Sequence, residues 1–236
     1  MPDDTPATAR WERDGLLVEW LGGAVWVELA GAGLLLDVPP GAVERLGDRL
    51  QRLRSVALTS GRVGAVGGLV PLLVELARWR VGDVPLALRF PLGEERGAML
   101  AETWVRGWPD LYPLTLDAEV PGSTFDAGDA VVTTVPVRAG EPRWRDATVQ
   151  PIPAVALRIE VDGRRVAWVP ACAPDGALRR AASGADLAIV EVGQAPWPRT
   201  DERWRPSTAD ALALRERVGE LWVVGDDGRW VGGPAH

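Results

Sequence analysis

The stretch Ser55-Val56-Ala57-Leu58-Thr59-Ser60-Gly61-Arg62-Val63-Gly64-Ala65-Val66-Gly67-Gly68-Leu69 opens as a short buried strand and ends at the start of a helix. Ser55 to Leu58 is compact and apolar, Ser60 to Gly68 is a glycine-rich turn, and apolar residues at helical spacing run from Leu69 to about Arg78. The same succession stands just upstream. Gly33 to Val38 reads as a strand stopped by Pro39-Pro40-Gly41, and Ala42 to Leu53 as an amphipathic helix with Val43, Leu46, Leu50 and Leu53 on one face. Further upstream, Leu16 to Trp20 and Ala24 to Leu29 are strands around a Gly22-Gly23 turn.

Downstream, Val84 to Arg89 is a strand and Gly93 to Val105 has helical spacing. A meander follows through Leu114 to Val120, Ser123 to Phe125 and Ala130 to Val137. The stretch Ala139 to Pro153, with three prolines, reads as a surface loop or flap. Ala154 to Val161 and Arg164 to Val169 form a hairpin about Asp162-Gly163. Ala177 to Ala182 is a short helix and Leu187 to Val192 an apolar strand. Ser207-Thr208-Ala209-Asp210 opens a helix through Val218 with a capping-box-like polar pair, and Leu221 to Val224 is a last strand. Residues 1–12 and 232–236 are expected to be flexible, with 13–231 forming one domain.

Composition narrows the chemistry. With 236 residues, 47% of them apolar, the chain can bury a substantial core. No apolar stretch approaches the roughly 20 residues that cross a bilayer, and the polar start carries no secretory pattern, so a cytoplasmic protein is expected. All 26 basic residues are arginine, which excludes lysine Schiff-base chemistry and a Walker lysine. The one histidine is the terminal His236, and the one cysteine is Cys172, so histidine catalysis, histidine zinc sites and an intrachain disulfide are set aside. A formal charge of -7 with no basic run argues against general nucleic-acid binding.

Several phrases, in this order, resemble the metallo-β-lactamase fold superfamily, in particular its ribonuclease Z-like branch. Leu34-Leu35-Leu36-Asp37-Val38-Pro39-Pro40-Gly41 looks like the strand and turn that enter its first long helix. Val56-Ala57-Leu58-Thr59 and Gly67-Gly68-Leu69 look like the flanks of its metal motif. Pro121-Gly122 to Val137, Val155 to Val169, and Gly184-Ala185-Asp186-Leu187-Ala188-Ile189-Val190-Glu191 look like its later strands. The resemblance implies a four-layer αββα sandwich of two mixed, mainly antiparallel sheets, an α/β (α+β) fold.

It also implies where zinc ligands should stand. The His-x-His-x-Asp-His loop falls on Ser60-Gly61-Arg62-Val63-Gly64-Ala65, the next histidine near Arg138 or Ala139, the bridging aspartate near Ala171, and the last histidine near Asp226. Only Asp226 retains a donor for a metal, and protein zinc sites use three or more protein ligands. Loss of the metal site is therefore expected, with no cofactor. The leading expectation is a metal-free pseudoenzyme that binds a protein partner or a small anionic molecule.

Ser60, Arg62, Arg138 and Asp226 are the candidate ligand-binding residues, because amides at a helix start together with guanidinium groups suit phosphate or carboxylate. The alternative at this loop is a refilled connector with Arg62 paired to Asp226 or Asp227. The competing function is a hydrolase with altered or metal-independent chemistry, of phosphodiesterase or ribonuclease Z-like ancestry, built on Glu191, Asp226, Asp227, Cys172 and Ser60. Against it, Cys172 reads equally as a plain buried thiol and Glu191 as a structural carboxylate. The resemblance further implies a homodimer through the Leu69 to Arg78 helix, unless Leu72, Leu73, Leu76 and Trp79 pack on their own sheet. Of the 12 tryptophans, Trp104, Trp108, Trp144, Trp197 and Trp204 fall in segments that read as irregular. Arg143, Trp144, Arg145, Trp197, Arg199, Arg203, Trp204 and Arg205 could form an aromatic and basic surface, or else cover an ordinary core.

Overall fold

The structure, a computed structural model, describes residues 9–79, 85–107, 113–143, 148–193, 203–226 and 229–232. The chain divides into two compact units. One holds the residues up to Glu119 with Ala127–Asp129, and the other holds Val120–Asp126 and the residues from Ala130 onward.

The first unit is built on a seven-stranded sheet whose spatial order follows the sequence: β1 (Ala9–Arg13), β2 (Leu16–Trp20), β3 (Val25–Leu29), β4 (Ala32–Leu36), β5 (Leu53–Ala57), β6 (Leu86–Pro91) and β7 (Leu114–Glu119). Its first four strands are antiparallel, joined by two-residue turns at Asp14-Gly15 and Ala30-Gly31 and by the Gly22-Gly23 turn. All six of these turn residues have positive φ, the backbone whose twist matches that of paired strands. Strands β4 to β7 are parallel, each connection carrying helix: α1 (Ala42–Leu46), α2 (Val63–Val66) with α3 (Leu69–Trp79), and α4 (Glu95–Gly107). Half of the pairings in this sheet are therefore parallel, which makes it a mixed sheet. Strand β1 begins at Ala9, inside the stretch expected to be flexible, and pairs with β2 from Ala9↔Trp20 to Arg13↔Leu16.

The core of this unit shows why the sequence settles here. Leu69, Leu72, Leu73 and Leu76 of α3 are fully buried with Trp26, Leu35, Val56 and Leu88 of the sheet. Trp26 lies across the neighbouring strand over Gly33, where a Cβ would overlap its ring. Trp26 also donates from Nε1 to Glu28, whose carboxylate accepts from Arg52. The expected long first helix is only one and a half turns. After α1, Gly47–Arg52 tightens into a 3-10 segment, and Gly47 at φ 50 breaks the α-helical run.

The second unit carries a seven-stranded sheet in the order β16-β15-β14-β13-β12-β9-β8 and a separate two-stranded ribbon. Its elements are β8 (Thr124–Ala127), β9 (Ala130–Pro136), β10 (Ala139–Arg143), β11 (Thr148–Ile152), β12 (Val155–Val161), β13 (Arg164–Val169), α5 (Gly176–Ala182), β14 (Leu187–Val192), α6 (Thr208–Leu212), β15 (Glu220–Gly225) and β16 (Trp230–Gly232). The stretch expected as a flap is the β10-β11 ribbon, paired from Ala139↔Ile152 to Arg143↔Thr148. Proline spacing hid it: Pro142 and Pro151 lie in a ribbon with no third strand, where a missing donor is tolerated. The last helix is also shorter than expected, since α6 gives way to a 3-10 turn at Arg215–Arg217. Its start is as expected: Ser207 and Asp210 form a reciprocal capping box. The strands β13, β14 and β15 are parallel, while β12 pairs antiparallel with β13 and β9, and β15 with β16.

Among the described residues, no helix is long and apolar enough to cross a membrane.

Candidate functional site

In the first unit, the turn after β5 is held from two sides. Asp37, at the end of β4, adopts a left-handed backbone (φ 59) and is buried. Its carboxylate accepts the Thr59 N–H at 2.7 Å and the Thr59 hydroxyl at 2.8 Å. The backbone completes this side, with Val38 N–H donating to the Ala65 carbonyl at 2.7 Å and Gly68 N–H to the Val38 carbonyl at 2.8 Å. From the other side comes Glu94, just ahead of α4. Its carboxylate accepts the N–H groups of Arg96 (2.9 Å) and Gly97 (2.6 Å) and so caps that helix. Glu94 is 6% exposed and sits so close to Gly61 that a Cβ there would overlap it. Arg96 also donates to the Gly61 carbonyl at 3.3 Å.

Ser60 and Arg62 thus belong to a rigid turn. Ser60 is buried, and its Oγ accepts the Arg62 N–H over a long 3.5 Å. Arg62 stands at the N-terminus of α2 and is partly exposed, while its carbonyl accepts from Ala65 and Val66. Ser60, Gly61, Arg62, Gly64 and Ala65 offer no imidazole, thiolate or carboxylate. The cation on Arg62 repels a dication besides.

In the second unit, the candidate residues line the ends of β9, β13, β14 and β15 and the turns that follow them. Arg138 lies just past β9. Its guanidinium stands 5.0 Å over the Trp204 ring and 3.9 Å from the Asp175 carboxylate, with its side chain 47% exposed. Ala171 is buried and donates its N–H to Glu191 at 2.7 Å. Glu191 is therefore a carboxylate bonded to a loop amide, the structural alternative weighed from sequence. Cys172 is fully buried in the apolar cluster of Val137, Ala156, Ala167 and Val190. An apolar setting disfavours the thiolate, the reactive form.

Asp226 lies in the second unit, where Arg205 holds it in an ion pair. The pair is largely buried, with side-chain exposures of 17% for Arg205 and 9% for Asp226. Asp226 N–H donates to the Val192 carbonyl at 3.0 Å, fixing the carboxylate beside the strand ends. Asp227 lies outside the described residues.

Two tryptophan readings also change. Trp104 is buried in α4, and Trp204 is buried against Gly140 of β10, where a Cβ would collide with its ring. Trp204 is therefore a core-covering residue rather than part of an exposed stacking platform. Trp108, Trp144, Arg145, Trp197 and Arg199 lie outside the described residues. In α3, Leu72, Leu73 and Leu76 face their own sheet, and the side chain of Trp79 is not described. The exposed apolar residues of that helix are Val70 and Val74.

Glu94 escaped the sequence reading, and Arg205 was read only as part of an aromatic and basic surface. Glu94 carried a usable signal, an acid directly before a helical stretch. Arg205 carried none, because a guanidinium in a proline- and tryptophan-rich stretch looks the same whether it faces solvent or a buried acid.

No family model and no curated protein matches the chain. Solved structures do. The short form of human tRNase Z superposes with a TM-score of 0.65 at 17% identity, covering 85% of this chain and 83% of that one. The metallo-β-lactamase fold protein YhfI from Bacillus subtilis gives 0.64 at 16% identity, over 85% and 76% of the two chains. Zinc-bound PqqB from Methylobacterium extorquens gives 0.64 at 20% identity, over 86% and 77%. This chain has the metallo-β-lactamase fold. The α/β sandwich class and the resemblance read from sequence agree with that result. Among the described residues no three His, Cys, Asp or Glu side chains are grouped to hold an ion. The described residues do not fit a zinc centre, which uses three or more protein donors.

Proposed function

We propose that this chain is a non-hydrolytic protein on the metallo-β-lactamase fold that works by binding rather than by catalysis. The observation that carries the reading is the commitment of Asp226 to Arg205. The one carboxylate at an expected ligand position already has a cation. Glu191 is engaged with the Ala171 amide. Each of these two carboxylates is thus held in a structural interaction rather than set to take a proton from a water.

The ligand is a protein partner or a small anion. In the first unit Arg62 offers positive charge beside the Ser60 hydroxyl, and in the second Arg138 offers positive charge by itself, either of which suits a phosphate or carboxylate.

The test is turnover of an activated phosphodiester, with and without added zinc or manganese. No turnover above the metal-only blank supports the reading. Metal-dependent turnover overturns it. Turnover that persists in chelator and disappears in Glu191→Gln would establish the alternative, a hydrolase with metal-independent chemistry in the same pocket.

A further inference from the structure

The segment that carries Arg205 is held at every step. Arg203 pairs with Asp210 of the α6 capping box, and Trp204 is wedged against Gly140 beneath Arg138. The Arg205 stem runs across Gly193, where a Cβ would stand 2.8 Å from its Cδ. Pro206 then accepts the Gly193 N–H at 3.2 Å. The backbone of β14's end, the helix cap and an aromatic wedge together deliver one guanidinium to one buried carboxylate.

Such a carboxylate needs a neighbouring cation, since removing charge from water costs several kcal/mol unless it is paired and hydrogen-bonded. A divalent ion is one solution and a fixed guanidinium is another. We infer that Arg205 is the resident cation of this strand end: it supplies to Asp226 the compensating charge that a bound metal would supply, so this corner is complete without an ion. Gly193 and Gly140 fit that assignment. Each is a position where a side chain would push the 203–206 segment away. The inference rests on the proposed reading only in treating Asp226 as a vacated ligand position, and the two fail separately. Phosphodiester turnover would overturn the reading, whereas the charge coupling below is a stability measurement.

Four variants and one small molecule test it. Arg205→Met removes the guanidinium paired with a buried carboxylate and should lower Tm by on the order of 5–10 °C. Asp226→Asn should lower it less. The Arg205→Met/Asp226→Asn double variant, with neither charge, should melt above Arg205→Met. In Arg205→Ala, guanidinium ion at low millimolar concentration should raise Tm relative to equal sodium chloride, with no such rise in the unsubstituted protein. A merely space-filling role for Arg205 would give additive losses and no guanidinium effect, and either result overturns the assignment. Should Arg205→Ala fail to fold, the comparison of Arg205→Met with the double variant still decides the question.

Discussion

Replacing Gly61 by alanine tests the stitching of the 60–65 turn at its tightest point. Gly61 is not in a left-handed conformation, so the cost comes from space alone. The new methyl overlaps the Glu94 carboxylate, which is buried and caps α4 through two N–H bonds of 2.9 and 2.6 Å. Losing such a cap costs about 1–2 kcal/mol, and the overpacking adds roughly 1–3 kcal/mol. Against this, alanine restricts the unfolded chain and returns about 0.4–1 kcal/mol. The net expectation is a loss of about 2 kcal/mol, or on the order of 4–8 °C in Tm for a chain of this size. Glu94→Ala removes the cap but also the obstacle, at about 1–2 kcal/mol. The Gly61→Ala/Glu94→Ala double variant should therefore be little worse than Glu94→Ala. Urea unfolding followed by circular dichroism reads all three. Gly61→Ala within about 0.5 kcal/mol of the parent, or losses that simply add, would refute this account of the turn.

Three further outcomes follow from the same structure. Thr59→Val removes a hydroxyl donated to buried Asp37 and should cost about 1–3 kcal/mol in urea unfolding; an unchanged midpoint would contradict the geometry. Burial raises the Asp210 pKa, but hydrogen bonds from Ser207 and the Arg203 charge outweigh it, and the net shift is downward. The stability from Asp210 is then present above its unfolded pKa of about 4 and is lost as pH falls through the lower folded value, so parent and Asp210→Asn should converge in Tm on acidification. A constant Tm difference between neutral pH and about pH 3 would refute the shift. Cys172, fully buried, should not react with an aromatic disulfide reagent until the chain is unfolded, and rapid labelling of native protein would place it wrongly.

The sequence made the fold legible where local chemistry is unambiguous. Leu69 to Arg78 reads as a helix and is one, and Asp162-Gly163 reads as a hairpin turn and is one. It was less legible where tertiary contacts override spacing. Val43, Leu46, Leu50 and Leu53 lie at helical spacing, yet Gly47 splits the segment into α and 3-10 parts and Leu53 begins β5. Pro142 and Pro151 argued for a loop, while the pairing of β10 with β11 depends on partners five to thirteen residues away.

The site was legible mainly by subtraction. Counting one histidine and one cysteine was enough to doubt a zinc centre. The Arg205–Asp226 pair was not legible, because it joins residues from opposite sides of α6, and only the folded chain brings them together.

The central claim is that this scaffold no longer holds zinc, and zinc stoichiometry addresses it most directly. Protein purified without chelator is equilibrated with excess zinc, dialysed against buffer and analysed by inductively coupled plasma mass spectrometry. The account predicts zinc far below stoichiometric. One or two ions retained per chain, resisting a competing chelator, would contradict it.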